Sequence, residues 1–305
     1  MGTPYFALPA LKEILLCGHE VLAVVCNLDK PAGRGGKIEE SPIKRFAHEN
    51  GIKVLQYKSI RKEGALDIQN LNPDLIVTCA FGQILSQEIL DIPKHGVMNV
   101  HVSLLPKYRG ASPVQAAILN GEKTTGVSIM KTEAGIDDGD VYLQEELAIF
   151  ENETYGELTD RIFPFGAKLL GKTLKLLEEG KLVRTPQNHA KATFCPRINK
   201  EDGRLDFSKS ADFLVRQIRA YNPSPICFFE RNGEKIKVFA AKSVVFDEII
   251  GKTPGTVLIS NPKQGLLIQT GNGTLSILKL QVQGGKEMDA KAFLNGRKIP
   301  EGEVL

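Results

Sequence analysis

GVMNVHVSLLPKYRG, residues 96–110, is the stretch that decides the fold, because it combines a buried-strand pattern with polar side chains near its end. Side chains alternate between the two faces of an extended segment. Asn99 and His101 therefore share one face, and the apolar residues between them lie on the other. Pro106 then directs the chain into a loop. Two hydrogen-bond donors on one strand edge can hold a single oxygen atom, which is the geometry of an acyl-transfer site.

A single Asn or His at a strand end is usually a structural residue with its hydrogen bonds satisfied. A catalytic role therefore requires further polar side chains near Asn99 and His101. The segment GIDDGD, residues 135–140, supplies them as an acidic turn before another strand. Such a turn would place the carboxylates of Asp137, Asp138 and Asp140 at the sheet edge, within reach of His101. An Asn, a His and an Asp together can polarise a carbonyl and move a proton. The spacing of the aspartates does not match a calcium loop, and no metal site is predicted.

Strands and helices alternate along the first part of the chain. VLAVVCN (21–27) and DLIVTCAF (74–81) are continuous apolar runs of strand length, typical of parallel strands covered on both faces. A Ser-Pro cap predicts one of the helices between them, over about 42–50. The alternation predicts an α/β fold with an open, mostly parallel Rossmann-like sheet, whose ligands bind at the carboxyl ends of its strands.

The pattern changes in the second part of the chain. Residues 181–206 are irregular and polar, which predicts a linker. Short strands separated by turn signals follow over 207–305, including an Asn-Gly pair at 232–233 that predicts a hairpin. We therefore expect a catalytic domain at 1–180, a linker, and a small β-barrel as the C-terminal domain.

Composition and charge limit the possible partners. The 305 residues are 42% hydrophobic and 25% charged, as in ordinary globular proteins. No apolar run approaches the roughly eighteen residues of a membrane span, and no signal peptide is recognisable, so we expect a cytoplasmic protein without a membrane partner. Residues 191–305 carry 18 Lys and Arg against 12 Asp and Glu, which indicates an anionic macromolecule or simply a solvated basic face. The five widely spaced cysteines predict buried thiols.

The sequence resembles the folate-dependent formyltransferases, and within them those that act on tRNA. The residues that carry the resemblance are Asn99 and His101 followed by Ser-Leu-Leu-Pro at 103–106, together with Asp137 in GIDDGD. The resemblance extends over nearly the whole chain, including GTPYFALPAL at the start, DKPAGRGGK at 29–37, AFGQIL at 80–85 and RAYNPSP at 219–225.

The resemblance implies the roles of particular residues. Asn99, His101 and Asp137 would be catalytic, and 10-formyltetrahydrofolate would be the formyl donor. The C-terminal barrel would be OB-like and would bind tRNA. Two stretches would form the folate pocket, namely Phe81, Gly82, Gln83, Ile84, Leu85 and Ser103, Leu104, Leu105, Pro106.

The glycine-rich segment DKPAGRGGK is a separate candidate for binding phosphates. It lacks the first Gly and the final Ser or Thr of a Walker loop, so it is not an ATP site. Lys30, Arg34 and Lys37 predict a mobile cationic loop that can order on a phosphodiester backbone. A plain surface loop is an equal alternative from the residues alone. The resemblance favours binding, because the matching loop of the tRNA enzymes contacts the acceptor arm.

The implied function is transfer of a formyl group to the α-amino group of methionine on initiator tRNA, by a monomer. Two alternatives remain. The acceptor can be another amine, such as glycinamide ribonucleotide or a nucleotide sugar, or the protein can bind folate or RNA without turnover. The cationic loop argues against the first alternative, and the complete catalytic set argues against the second.

The beginning of the chain departs from the expected pattern. A doubly wound sheet starts with a strand, and the resemblance places Gly2 and Pro4 in the turn after one, yet only Met1 precedes Gly2. We expect that the first strand is missing and that the true start lies upstream of Met1. The alternative is a rearranged sheet that needs no such strand.

Overall fold

Residues 97–101 form a strand in the computed structural model, as the alternation of their side chains predicts. The structure describes residues 1–32, 37–246 and 253–305. The chain divides into two compact units. The first unit comprises Met1–Pro113, Thr124–Ala148 and Thr159–Pro196, and the second comprises Val114–Lys123, Ile149–Leu158 and Arg197–Leu305.

The elements are numbered along the chain. The strands described up to residue 196 are β1 Val24–Asn27, β2 Lys30–Ala32, β3 Lys37–Glu39, β4 Val54–Tyr57, β5 Ile76–Thr78, β6 Val97–His101, β7 Arg109–Gly110, β8 Thr124–Lys131, β9 Val141–Ala148 and β10 Phe194–Cys195. The α-helices in the same part are α1 Leu8–Leu16, α2 Pro42–Glu49, α3 Ile60–Glu63, α4 Ala65–Leu71, α5 Gln87–Asp91, α6 Pro113–Leu119 and α7 Tyr155–Glu178. The later elements are α8 Ala211–Ala220, β11 Cys227–Arg231, β12 Glu234–Val244, β13 Val257–Asn261, β14 Gly265–Gln269, β15 Thr274–Val282, β16 Met288–Asp289 and α9 Ala290–Gly296. None of the described helices is both long enough and apolar enough to cross a membrane.

The first unit has the predicted α/β class, but its strand pairing is mixed. β1 pairs with β4, and β5 with β6, in parallel. β6 and β9 both pair with β8 in the antiparallel sense. The prediction of a mostly parallel sheet is therefore wrong. The turn at 132–140 between β8 and β9 is shorter than the crossover of about a dozen residues that a parallel pair requires, so the chain returns antiparallel.

Local sequence determines where the principal helices begin. The Ser41 hydroxyl accepts a hydrogen bond from the Lys44 N–H at 3.3 Å, and Gly51 lies in the left-handed region with φ +67° just after α2. Both features agree with the predicted cap and stop. At the start of α7 the Thr154 N–H donates to Glu157 Oε2 at 2.8 Å, and the Glu157 N–H donates to Thr154 Oγ1 at 3.3 Å. This reciprocal capping box satisfies backbone donors that the helix itself leaves unpaired.

The second unit contains an antiparallel sheet in the order β11-β12-β15-β14-β13, with β16 paired to β15. The predicted hairpin between β11 and β12 is confirmed, since Asn232 and Gly233 both have positive φ, at 51° and 76°. In the described residues no ladder joins β11 to β13, so the sheet is not closed. The OB-like barrel stays a prediction.

The cysteines are all free thiols, and four are buried as predicted. Burial raises the pKa of Cys26, Cys79, Cys195 and Cys227. Cys17 is the exception, because it is exposed directly after α1. The buried residues of α1, Ala10 and Leu11, lie near its start, whereas Leu16 at its end is 80% exposed, so the end of the helix has left the core before Cys17.

Met1 and Gly2 lie between the facing edges of β1 and β5. The Met1 amine donates to the Val77 carbonyl oxygen at 2.6 Å, and the Cys79 N–H donates to the Met1 carbonyl oxygen at 2.9 Å. The Gly2 N–H donates to the Val25 carbonyl oxygen at 3.0 Å. These bonds have the arrangement of a parallel ladder. The same two edges continue along a cavity of about 630 Å³, and among the described residues no strand pairs with them there.

Candidate active site

β6 presents Asn99 and His101 on the same face, as the sequence predicts. His101 is only 5% exposed, and its Nε2 lies 3.0 Å from the carbonyl oxygen of Tyr108. Because a carbonyl oxygen only accepts hydrogen bonds, Nε2 carries a proton. Nδ1 is therefore the ring nitrogen that remains for chemistry.

Asp137 comes from the turn between β8 and β9 and meets both side chains. Its Oδ1 lies 3.4 Å from Asn99 Nδ2, and its Oδ2 lies 3.6 Å from His101 Nδ1. Both distances exceed those of strong hydrogen bonds, so neither nitrogen is fully engaged with the carboxylate. The Gly110 N–H donates to Asp137 Oδ2 at 2.8 Å and fixes the carboxylate from the other side. The structure thus brings the three predicted catalytic residues together.

The backbone of the acidic turn is unusual at two positions. Asp137 has φ +46°, in the left-handed region, which is unfavourable for residues with a Cβ but is tolerated best by Asp and Asn. A Cβ on Gly139 would collide with the Lys131 carbonyl oxygen, so glycine is required there. These constraints explain why an Asp and a Gly occupy positions 137 and 139 of the turn.

Thr78 in β5 orients the amide of Asn99. The hydroxyl of Thr78 donates to Asn99 Oδ1 at 2.9 Å, and the pair sits side by side in the register of β5 and β6. With its oxygen engaged in this way, Asn99 directs Nδ2 toward Asp137. Thr78, which is only 7% exposed, was not among the residues predicted from the sequence. Its one signal was a hydroxyl within an otherwise apolar strand.

Comparison with known proteins decides the family. Residues 2–174 match the formyl transferase family, and residues 197–298 match the formyl transferase C-terminal domain. The methionyl-tRNA formyltransferases of Acetivibrio thermocellus and Clostridioides difficile are 45% and 44% identical to this chain over 306 residues, covering 100% of it and 98% of each relative. The chain belongs to the formyl transferase family, among the methionyl-tRNA formyltransferases.

A solved structure supports the fold of this formyltransferase. The N-formyltransferase of Helicobacter canadensis, determined with folinic acid and dTDP-3-aminofucose, has a TM-score of 0.64 and is 22% identical. The match covers 90% of this chain and 97% of that protein. At this level of identity the similarity shows the fold alone.

The first stretch predicted to bind folate, the loop after β5, turns most of its side chains toward the protein. Phe81 and Leu85 are buried in the apolar core of the first unit. Gln83 Nε2 donates to Asn27 Oδ1 at 2.6 Å, and the Phe81 carbonyl oxygen accepts from Asn27 Nδ2 at 3.0 Å. Ile84, at 69% exposure, is the large side chain of this loop that faces outward. The loop is thus firmly anchored and presents one apolar side chain to solvent.

The second predicted folate stretch is a rigid loop after β6. Ser103 is fully buried, and its hydroxyl donates to the Lys107 carbonyl oxygen at 2.7 Å. Ser128 of β8 donates to the Ser103 carbonyl oxygen at 2.6 Å and accepts from the Leu105 N–H at 3.1 Å. The peptide bond before Pro106 is cis. The polar groups named here form their hydrogen bonds within the protein, so the loop is held in place from both sides.

The segment predicted as a mobile cationic loop contains two short strands among its described residues. β2 and β3 pair in the antiparallel sense, with Lys30 opposite Glu39, which corrects the prediction for these residues. Lys30 is exposed, Lys37 begins β3, and Arg34 lies outside the described residues. Asp29 lies just before β2 and forms an ion pair with Lys44 Nζ of α2 at 2.6 Å. This contact lowers the pKa of the Asp29 carboxyl group. The start of this arm is therefore fixed to α2.

Proposed function

We propose that the protein transfers the formyl group of 10-formyltetrahydrofolate to the α-amino group of methionine on initiator tRNA, in the cytoplasm, as a monomer and without a metal ion. The single observation that carries the proposal is the convergence of Asn99, His101 and Asp137 at the end of β6. The high identity to methionyl-tRNA formyltransferases supports the choice of acceptor.

The first step is attack of the neutral amine on the formyl carbon. A C–N bond forms, and negative charge develops on the formyl oxygen. Asn99 Nδ2 and His101 Nδ1 are two incompletely engaged nitrogens on one face, so they can donate to that oxygen, His101 in its protonated form. One preorganised donor of this kind is typically worth about 2.7 to 4 kcal/mol.

The second step is a proton transfer that completes the reaction. The attacking nitrogen must lose a proton, and the folate nitrogen must gain one as its bond to the formyl carbon breaks. The carboxylate of Asp137 faces the site and can take this proton and deliver it to the departing nitrogen. It also stabilises positive charge on His101, whose Nδ1 lies 3.6 Å away. Because the Tyr108 carbonyl oxygen occupies Nε2, the ring exchanges protons with the site through Nδ1.

Folate and tRNA would contact different parts of the molecule. For folate we propose the backbone and Ile84 of the loop after β5, together with the loop at 103–106, which both follow strands that carry catalytic or orienting residues. For tRNA we propose Lys30, Arg34 and Lys37 of the segment 29–37 and a second unit with an OB-like fold. The net positive charge of 191–305, with 18 basic against 12 acidic residues, supports a polyanionic ligand there.

The test is a comparison of formyl acceptors with one purified protein. Charged initiator tRNA and glycinamide ribonucleotide are each supplied with 10-formyltetrahydrofolate, and the Asn99→Ala variant is assayed in parallel. We expect transfer to the methionyl-tRNA and its loss in the variant. Preferential transfer to glycinamide ribonucleotide would overturn the proposed acceptor. Equal activity of the variant would overturn the proposed site.

A further inference from the structure

Gln187 is a buried residue in an exposed part of the chain. Residues 183–186 and 188–190 are exposed, whereas Gln187 retains only 8% of its accessible surface. Burying a primary amide is unfavourable unless its donors and acceptors are satisfied. The burial of Gln187 therefore requires specific partners, and it marks a fixed point in a segment that otherwise resembles a linker.

The amide of Gln187 uses all of its hydrogen-bonding capacity. Its Oε1 accepts from Arg109 Nε at 3.1 Å and from Arg109 Nη2 at 2.8 Å. Its Nε2 donates to the carbonyl oxygens of Asp137 at 2.9 Å and Gly139 at 2.7 Å. Since a guanidinium only donates, Arg109 determines which end of the amide faces the acidic turn. Arg109 is itself 4% exposed, and its Nη2 also donates to His189 Nδ1 at 3.2 Å.

These contacts hold Asp137 at two places. Gly110 fixes the carboxylate through its N–H, and the adjacent Arg109 fixes the backbone of Asp137 through Gln187. The left-handed conformation of Asp137, with φ +46°, is one that an unrestrained turn would leave readily. Gln187 therefore supplies the restraint that keeps the carboxylate facing Asn99.

We propose that Gln187 is a positioning residue for formyl transfer, which holds the backbone of Asp137 so that its carboxylate stays opposite Asn99 and His101. The expected fall in kcat on mutation of Gln187 rests on the proposed function. The restraint of the Asp137 backbone by Gln187 does not, because it acts on the turn whether or not substrate is present. The proposal assigns a role in the reaction to a residue of the segment that the sequence predicts as a linker.

The kinetic arm compares Gln187→Ala and Gln187→Glu with Asn188→Ala. Asn188 is the matched control, because it is the next residue, carries the same functional group and caps only an exposed turn. A carboxylate at 187 still accepts from Arg109 but repels the two carbonyl oxygens. We expect kcat to fall about a hundredfold in both Gln187 variants, as for a small misplacement of a reacting group. KM values should stay within about twofold, and Asn188→Ala should match the wild type.

The second arm measures the turn directly by amide hydrogen exchange. Because Asp137 Oδ2 accepts the Gly110 N–H, loosening the turn should make that amide exchange at least about tenfold faster in Gln187→Ala, with core amides unchanged. A lower melting temperature with normal kcat or normal Gly110 exchange would overturn the proposal. If the wild type transfers no formyl group, the proposed function fails, and Gly110 exchange still decides whether Gln187 positions Asp137. Gln187→Glu keeps the Arg109 contact and provides the answer if Gln187→Ala does not fold.

Discussion

At the scale of single residues, Asn99, His101 and Asp137 have different parts in the proposed mechanism. In that mechanism Asn99 and His101 act on charge that develops only in the transition state, so their removal should lower turnover more than binding. We expect Asn99→Ala and His101→Ala each to reduce kcat by roughly two to three orders of magnitude, with little change in tRNA affinity. Asp137→Asn should have a similar effect. Steady-state kinetics with methionyl-tRNA provide the measurement, and near-normal kcat in any variant would remove that residue from the mechanism.

The orientation of Asn99 leads to a second prediction at this scale. Thr78→Val keeps the shape of the side chain but removes the hydroxyl that donates to Asn99 Oδ1 at 2.9 Å. The amide is then free to rotate, and kcat should fall about ten- to a hundredfold through misplacement of Nδ2. Thr78→Ser retains the hydroxyl and should retain turnover. If the valine and serine variants have the same kcat, the hydroxyl has no orienting role.

The sequence predicts which side chains share a face of one strand, but it does not predict contacts between residues that are distant in sequence. Alternation along β6 is a local property, so it places Asn99 and His101 on one face without knowledge of the fold. Partners distant in sequence are different. Thr78 reaches Asn99 across 21 residues, and Gln187 reaches Asp137 across 50. No periodicity connects such pairs, because the packing of neighbouring strands and loops brings them together.

At the scale of secondary-structure elements, the β2–β3 arm allows a test of tRNA binding. Arg34 belongs to the segment between these strands, and its proposed contact is with a phosphate. Arg34→Ala should weaken methionyl-tRNA binding at low salt, and the slope of log affinity against log salt should change by about one. Folate affinity should not change. Lys94→Ala removes one exposed positive charge after α5 and serves as the control. Equal loss of tRNA affinity in the two variants would show that Arg34 acts only as one of the positive surface charges.

Local sequence patterns predict where a helix begins, but they do not predict the direction in which strands pair. The Ser-Pro cap predicts α2 correctly, because the hydrogen bond at its start involves a neighbour in sequence. Strand direction depends on which strands meet, and apolar runs contain no such information, so β8 was not recognised as antiparallel to β6 and β9. β10 is too short to produce a pattern, although its pairing with β7 places the segment of Gln187 beside Arg109.

At the scale of the whole molecule, the cavity beside Met1 concerns stability. Residues 21–25 and 73–77 line it, which are the segments leading into and through β1 and β5. At about 3.3 Å per residue, each segment matches a strand of about five residues. Met1 and Gly2 already hydrogen-bond to both sides in a parallel arrangement. A short extended segment attached ahead of Met1 would therefore fit this cavity and pair with β1 and β5.

Extending the protein by about seven apolar-rich residues upstream of Met1 should therefore raise its melting temperature. Burial of four to six side chains at roughly 1.5 to 3 kcal/mol each contributes on the order of 10 kcal/mol. Ordering the added backbone costs about 1 to 2 kcal/mol per residue, so the stabilisation also requires the backbone hydrogen bonds that the added segment forms with β1 and β5. A Gly-Ser extension of equal length is the control and should have no stabilising effect. Equal melting temperatures for the two extended proteins would indicate a rearranged sheet that needs no further strand.

The Met1 amine provides a pH-dependent signature of the same cavity. Burial lowers the pKa of this amine from 8.0 to about 6, so the folded protein binds fewer protons than the unfolded chain between these values. Stability should therefore rise with pH from about 6 to 8, by on the order of 2 to 3 kcal/mol, in a protein that begins at Met1. The apolar extension replaces the amine with a neutral amide and should abolish this rise. Unfolding free energies of both proteins at several pH values give the difference, in which contributions from the five histidines cancel. Identical pH profiles would show that the amine is not desolvated and that the cavity does not enclose this end of the chain.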